Sequence, residues 1–280
     1  MLRPQTIQIF LPDGSPRSIK IAEITNRVVK AVLIPRNQLV NAAKRKEVAN
    51  VGLYLLFGES DESAKPMVYI GETEDCLERL KKHNREKEFW THAVVFVSRI
   101  GAFTKAHVKY LEHIGVKIAK EVNRYKMENG NIPKVPHITE SMEADLLDSF
   151  ETIKILLSTL GYPVFESISK KTIAKKELFF IKAKGIKAEG DLIDDGFVVF
   201  KGSEAIIKTT PSCHDYIITS RKKLLNDGIL VKKEEKYHFM EDHVFSSPST
   251  AAGVVQGRAA NGWRDWKDKN GKTLNELKRQ

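Results

Sequence analysis

Two short runs constrain the fold of this chain more than any other feature. Gly52-Leu53-Tyr54 opens the apolar stretch Val51 to Phe57, and Tyr69-Ile70-Gly71 closes a second stretch that begins at Met67. Tyr54 and Tyr69 are 15 residues apart. A short, almost continuous apolar run reads as a strand buried on both faces. The polar loop Glu59 to Lys65 between the runs makes the two strands partners.

Beyond Gly71 the chain alternates helix and strand signals. Asp75 with Glu78 three residues on resembles a capping box, so a helix is expected from there to about Asn84. Ala93 to Val97 reads as another buried strand, and Thr104 to Glu128 as a long helix stopped by Asn129-Gly130 and Pro133. The order β-β-α-β-α describes a compact α/β (α+β) unit over 48–133. Ahead of it, alternating runs around Ile7–Phe10, Ile19–Ile24 and Val28–Ile34, then a short basic helix over Asn37–Val48, suggest a β-rich extension over 1–47. Behind it, Leu146, Phe150, Ile153 and Leu157 repeat at helical spacing. That places an amphipathic helix over 140–160, a candidate surface for self-association, in a connector that runs 134–176 and ends in a lysine-rich linker. Strands at Leu178–Ala183 and Gly196–Phe200, a helix at Tyr216–Asp227, a hairpin from Gly228 to Met240 and a helix at Ser249–Gln256 make an α+β module of 177–280.

Geometry carries the chemistry. On the helix from Asp75, Arg79 and His83 are four residues apart and share a face. On the next helix Glu112 falls inside the apolar stripe of Val108, Leu111, Gly115, Ile118 and Val122. A carboxylate facing a packed side costs several kcal/mol, about 3–5 when it is left unpaired, unless it is matched by a cation. Asn123 follows about three turns on, near the same side. Singly, each has a structural reading: strand tyrosines, a solvated arginine, a boundary histidine, a Glu112–Arg79 ion pair. The ordered set points instead to a site for phosphodiester cleavage.

Net charge is +10, with a pI near 9.4, which favours a polyanionic partner. The two cysteines, Cys76 and Cys213, are far apart, which argues against a disulfide framework or a structural zinc and for a reducing compartment. The first ten residues lack the apolar core of a signal peptide, and no run approaches the ~20 apolar residues of a membrane span. The expectation is a soluble, cytoplasmic protein that does not enter the membrane.

With those residues in view, the segment from about Asn50 to Gly130 resembles the GIY-YIG nuclease family. The resemblance implies a metal-dependent endonuclease acting most commonly on DNA. It implies catalytic roles for Tyr54, Tyr69, Arg79, His83, Glu112 and Asn123, with Glu112 binding Mg²⁺ or Mn²⁺. Leu53 stands where the family has isoleucine, and Asn129 or Asn131 are alternatives to Asn123. Under this reading Tyr54 deprotonates or orients the attacking water, Tyr69 or His83 relays the proton, and Arg79 meets the transition-state charge. The alternative is a non-catalytic nucleic-acid-binding protein that retains the fold.

The tail from Gly253 carries seven Lys/Arg against three Asp/Glu. Trp263 and Trp266 interleave with Arg264, Lys267 and Lys269, a pattern suited to bases and phosphates, although the tryptophans also read as core anchors. Lys81 and Lys82 join Arg264, Trp266, Lys267 and Lys269 as candidate nucleic-acid contacts. From about Phe179 onward the chain resembles a domain of unknown function found appended to such nucleases, which implies a targeting or nucleic-acid-binding role.

Overall fold

In the computed structural model, the structure describes residues 4–167, 178–183 and 185–279. Apart from Ser167, the expected basic linker lies outside the described residues. The chain divides into two units: Met1–Ser60 with Lys65–Ser167, and Asp61–Ala64 with Ile168–Gln280. Among the described residues no helix is long and apolar enough to cross a membrane.

The first unit runs β1 (Ile7–Phe10), β2 (Lys20–Ile24), β3 (Val29–Pro35), the one-turn α1 (Leu39–Ala42), β4 (Gly52–Gly58), β5 (Met67–Thr73), α2 (Cys76–Glu86), β6 (Trp90–Ser98), α3 (Lys105–Val122), β7 (Lys126–Met127) and α4 (Glu140–Thr159). These strands form one seven-stranded sheet in the order β1-β2-β3-β6-β4-β5-β7. The strands expected as a separate extension over 1–47 therefore belong to the main sheet. The reason lies in β6: it is buried on both faces, and after pairing with β4 its other edge still carries unpaired backbone groups. β3 satisfies them from Val29 opposite Ser98 to Pro35 opposite His92. The helix expected over Asn37–Val48 shrinks to a 3₁₀ turn and α1, neither with a side-chain N-cap.

Alternation sorts β4 and β5 onto two cores. Leu53, Leu55, Phe57, Val68 and Ile70 face α3 and α4; Tyr54 and Leu56 face Cys76, Leu77 and Leu80 of α2. The stripe of α4 proposed for self-association, Leu146, Phe150, Ile153 and Leu157, is buried in the unit's own core, leaving Leu147 exposed. It closes the sheet and is not a connector. α3 also ends earlier than expected: Asn123 takes a left-handed conformation, φ 54°, and the chain turns into β7, parallel to Met67–Val68.

The second unit contains β8 (Phe179–Ala183), β9 (Ile186–Ile193), β10 (Gly196–Val199), β11 (Glu204–Ile206), α5 (Asp215–Asn226), β12 (Leu230–Lys233), β13 (Lys236–Phe239), β14 (His243–Phe245), α6 (Pro248–Gln256), α7 (Gly262–Asp265) and α8 (Leu274–Lys278). Two sheets, β14-β10-β9-β8 and β11-β13-β12, share a core with α5 and α6. Sequence reading missed β9, because Gly190 in its middle interrupts the apolar pattern.

Candidate active site

Tyr54 lies directly opposite Gly71 across the β4–β5 ladder. A Cβ at Gly71 would run into the Tyr54 phenol and reach 2.9 Å from the Tyr69 ring, so a side chain is excluded where the two tyrosines converge. Gly52 is fixed similarly: a Cβ there would sit 2.6 Å from the Phe96 carbonyl oxygen and 2.7 Å from Cys76 Sγ. Both motif glycines are thus requirements of close approach.

α2 delivers the next two groups. Asp75 caps it, its carboxylate accepting the Glu78 N–H at 3.1 Å. His83 is buried, and its Nε2 is hydrogen-bonded to Tyr54 Oη at 2.7 Å. The Tyr54, Tyr69 and His83 rings lie within 6.1 Å of one another, centroid to centroid. Just past the helix, Lys87 places its ammonium 4.7 Å from the centre of the Tyr69 ring. Burial, then the charges of Lys87 and Arg79, lowers His83 to about 4 and keeps the ring neutral at pH 7. Burial, then Tyr69, holds the Tyr54 phenol well above its usual range; Arg79 pulls the other way.

Glu112 arrives from the other side of the sheet. It is half-buried, and desolvation followed by the neighbouring Glu72 carboxylate raises it to about 7, against the pull of Lys105, the Glu72 backbone N–H and Arg79. Lys105, the first residue of α3, pairs with Glu72 at 2.8 Å. The Arg79 charge works against both rises, at Tyr54 and at Glu112; Tyr54 packs on the α2 side of the sheet, and the α3 neighbours of Glu112 pack on the other. Of the expected residues, Tyr54, Tyr69 and His83 are in mutual contact, while Glu112 neighbours Glu72 at the end of β5.

Asn123, the expected asparagine, follows the last residue of α3. It caps α3, is exposed, and its carbonyl oxygen accepts from Lys65 Nζ at 2.8 Å. Asn129 is the asparagine that reaches the motif: its Oδ1 accepts the Ile70 N–H at 2.9 Å and its Nδ2 donates to the Ile70 carbonyl at 2.7 Å. Lys81 and Lys82 pair along α2 with Glu78 and Glu86. Glu72, Lys87 and Lys105 escaped sequence reading. Strand alternation could have found Glu72, which shares a face with buried Ile70.

In the second unit Arg264, Lys267 and Lys269 are exposed, as expected. Trp266 is not available to a base: it is fully buried, its Nε1 donates to the Pro248 carbonyl at 3.1 Å, and its ring meets Phe197 at 4.5 Å. Its large apolar surface outweighs its basic neighbours and makes it a core anchor. No curated protein and no solved structure matches the chain. Residues 179–278, which cover most of the second unit, match a family model described as a domain of unknown function, DUF4357.

Proposed function

We propose that the first unit is a phosphodiester hydrolase of the GIY-YIG kind, acting on nucleic acid and on DNA in the first place. The observation that carries this reading is the 2.7 Å hydrogen bond between Tyr54 Oη and His83 Nε2, inside a cluster with Tyr69 and on the helix that also carries Arg79. A guanidinium one helical turn from a proton-handling group suits a phosphate with developing charge.

The residues fit a divalent cation. Two carboxyls, Glu112 and Glu72, face one another in a partly dewatered setting that raises Glu112, and a cation relieves that repulsion. Among the described residues no group of three or more acidic, histidine or cysteine side chains gathers as a ready-made cage. Such a donor set suits Mg²⁺ or Mn²⁺, which keep waters and use one or two carboxylates plus substrate phosphate. Glu112 would hold the ion with Glu72 beside it, and when bound the ion polarises a phosphoryl oxygen and stabilises the leaving oxygen.

The chain's own residues do the rest. Arg79 orients the phosphate and balances its charge as water oxygen attacks phosphorus and the P–O bond to the leaving sugar breaks. Tyr69, half-buried beside Tyr54 and His83, positions the water. Tyr54, buried and neutral, passes the released proton to His83, whose neutral ring can accept it.

The test is nicking of a supercoiled plasmid with Mg²⁺ or EDTA. Glu112→Ala should abolish nicking while DNA affinity, read by fluorescence anisotropy, persists. Undiminished nicking by that variant would sink the reading. Binding without nicking by the unaltered chain under any divalent cation would leave a non-catalytic binding fold.

A further inference from the structure

We propose that the second unit carries a groove for single-stranded nucleic acid, laid along both sides of Arg264. The inference uses that unit alone and stands apart from the hydrolysis proposed for the first.

β8 alternates: Phe179 and Ile181 enter the core, while Phe180 and Lys182 point outward. Across the ladder Lys182 lies directly opposite Lys187. Two like charges in that position destabilise a sheet, and an anion between them removes the penalty. Their ammonium groups lie 6.0 and 5.8 Å from the centre of the Phe180 ring. β8 is the edge of its sheet. Lys267 docks on that edge, Phe180 N–H donating to its carbonyl at 2.7 Å and its own N–H donating to the Phe180 carbonyl at 3.1 Å. The buried Trp266 next to it fixes that placement.

Between these elements lies a cavity of about 550 Å³, whose lining includes Phe180, Lys182, Lys187, Arg264, Lys267 and Lys269. Its two aspartates are already engaged. Asp265 accepts from Gln256 at 2.8 Å and Arg258 at 2.9 Å, and Asp268 accepts the N–H groups of Asn270 at 2.9 Å and Lys272 at 2.8 Å. Lys187 has a carboxylate nearby, Glu189 at 3.1 Å, but the balance of the lining is cationic. Arg264 also lines a second cavity of about 480 Å³, where the Arg279 guanidinium stacks 3.8 Å over the Trp263 ring.

Cations track a phosphate backbone, while a half-buried phenyl ring and a guanidinium plane stacked on indole offer flat surfaces to bases. A duplex keeps its base faces covered and could use only the cations. Exposed bases use both, so the groove fits a single strand.

The test uses the full chain in EDTA, which suppresses cation-dependent cutting, and anisotropy of fluorescein-labelled oligothymidylate, oligouridylate and a duplex of equal length. Single strands should bind more tightly than duplex. Phe180→Ser should weaken single-strand binding about ten-fold, as expected for loss of one stacked base. Lys182→Ser and Lys269→Ser should each lower the salt slope by about 0.7. Lys269 lies in an exposed turn, so that variant tests the groove even if Phe180→Ser fails to fold. Lys44→Ser in the first unit should change nothing. Unchanged single-strand affinity in both lysine variants, a Phe180→Ser loss that is equal for duplex and single strand, or loss of single-strand binding on Arg79→Ala alone would each overturn the proposal. None of these outcomes depends on whether the first unit cuts.

Discussion

At Glu112 the folded chain holds a proton more tightly than the unfolded one, because burial and Glu72 raise its pKa from the ordinary 4.5 to about 7. Its contribution to stability is therefore complete below about pH 4 and is lost as pH rises toward and through 7. Glu112→Gln should raise the melting temperature at pH 8 by on the order of a few degrees and leave it unchanged at pH 4, while abolishing cleavage. His83 has the opposite sign: burial takes it from the ordinary 6.5 to about 4, so its contribution is present above 6.5 and lost as pH falls through 4. His83→Asn should flatten the acid limb of the melting profile. A Glu112→Gln profile identical to the parent's at pH 8 would refute the first of these assignments. Gly71→Ala forces a methyl into the Tyr54 phenol, and should cost about 1–3 kcal/mol in chemical denaturation, as overpacking does. Tyr54→Phe should not rescue it, because the ring carbon bearing the hydroxyl also lies too close. Glu112 was legible as the one carboxylate on an apolar stripe. Trp266 was not, because its flanking charges are local while the core that buries it comes from Phe197 and Pro248, far away in sequence.

At the level of elements, the end of α3 separates two asparagines with different jobs. Asn129-Gly130 is the stronger stop signal in the sequence, yet the helix ends at Val122 because Asn123 can take the left-handed conformation. The residues between them then become β7, and the Asn129 amide continues its pairing by bridging both backbone groups of Ile70. Asn129→Ala should therefore destabilise the first unit by about 1–3 kcal/mol, the cost of leaving such groups unpaired, and slow cleavage by loosening the strand that holds Tyr69. Asn123→Gly, which keeps the cap conformation, should stay within about 0.5 kcal/mol of the parent. Urea denaturation of the two variants side by side decides between them, and equal losses would contradict this division. The β-β-α-β-α order was legible because each element has its own period or cap. The attachment of β3 to β6 was not, since it pairs residues some 60 positions apart through a backbone edge that leaves no mark on side-chain pattern.

Across the whole molecule, the two units have separate cores, one divided between the faces of the seven-stranded sheet and one shared by two smaller sheets. Each contains a residue whose loss should be felt there first. Leu55 is fully buried in the central strand of the first unit, and Leu55→Ala should cost about 2–5 kcal/mol. In the second unit, buried Arg221 donates to the carbonyls of Val254 at 2.9 Å, Ile207 at 3.1 Å and Ile206, and lies 5.6 Å from the centre of the Tyr237 ring. It joins α5 to α6 and to the end of β11, so Arg221→Ala leaves several buried carbonyls without a donor. The tryptophans supply separate reporters: Trp90 is buried in the first unit, while Trp263 and Trp266 belong to the second. In chains retaining only Trp90, or only Trp263 and Trp266, thermal unfolding followed by fluorescence should show Leu55→Ala lowering the Trp90 transition and Arg221→Ala lowering the other. The groove depends on the second core, so Arg221→Ala should also weaken single-strand binding as its own transition nears the assay temperature, with plasmid nicking by the first unit less affected. A single transition that shifts equally with both substitutions, whichever tryptophan reports it, would show that the two cores unfold as one cooperative body.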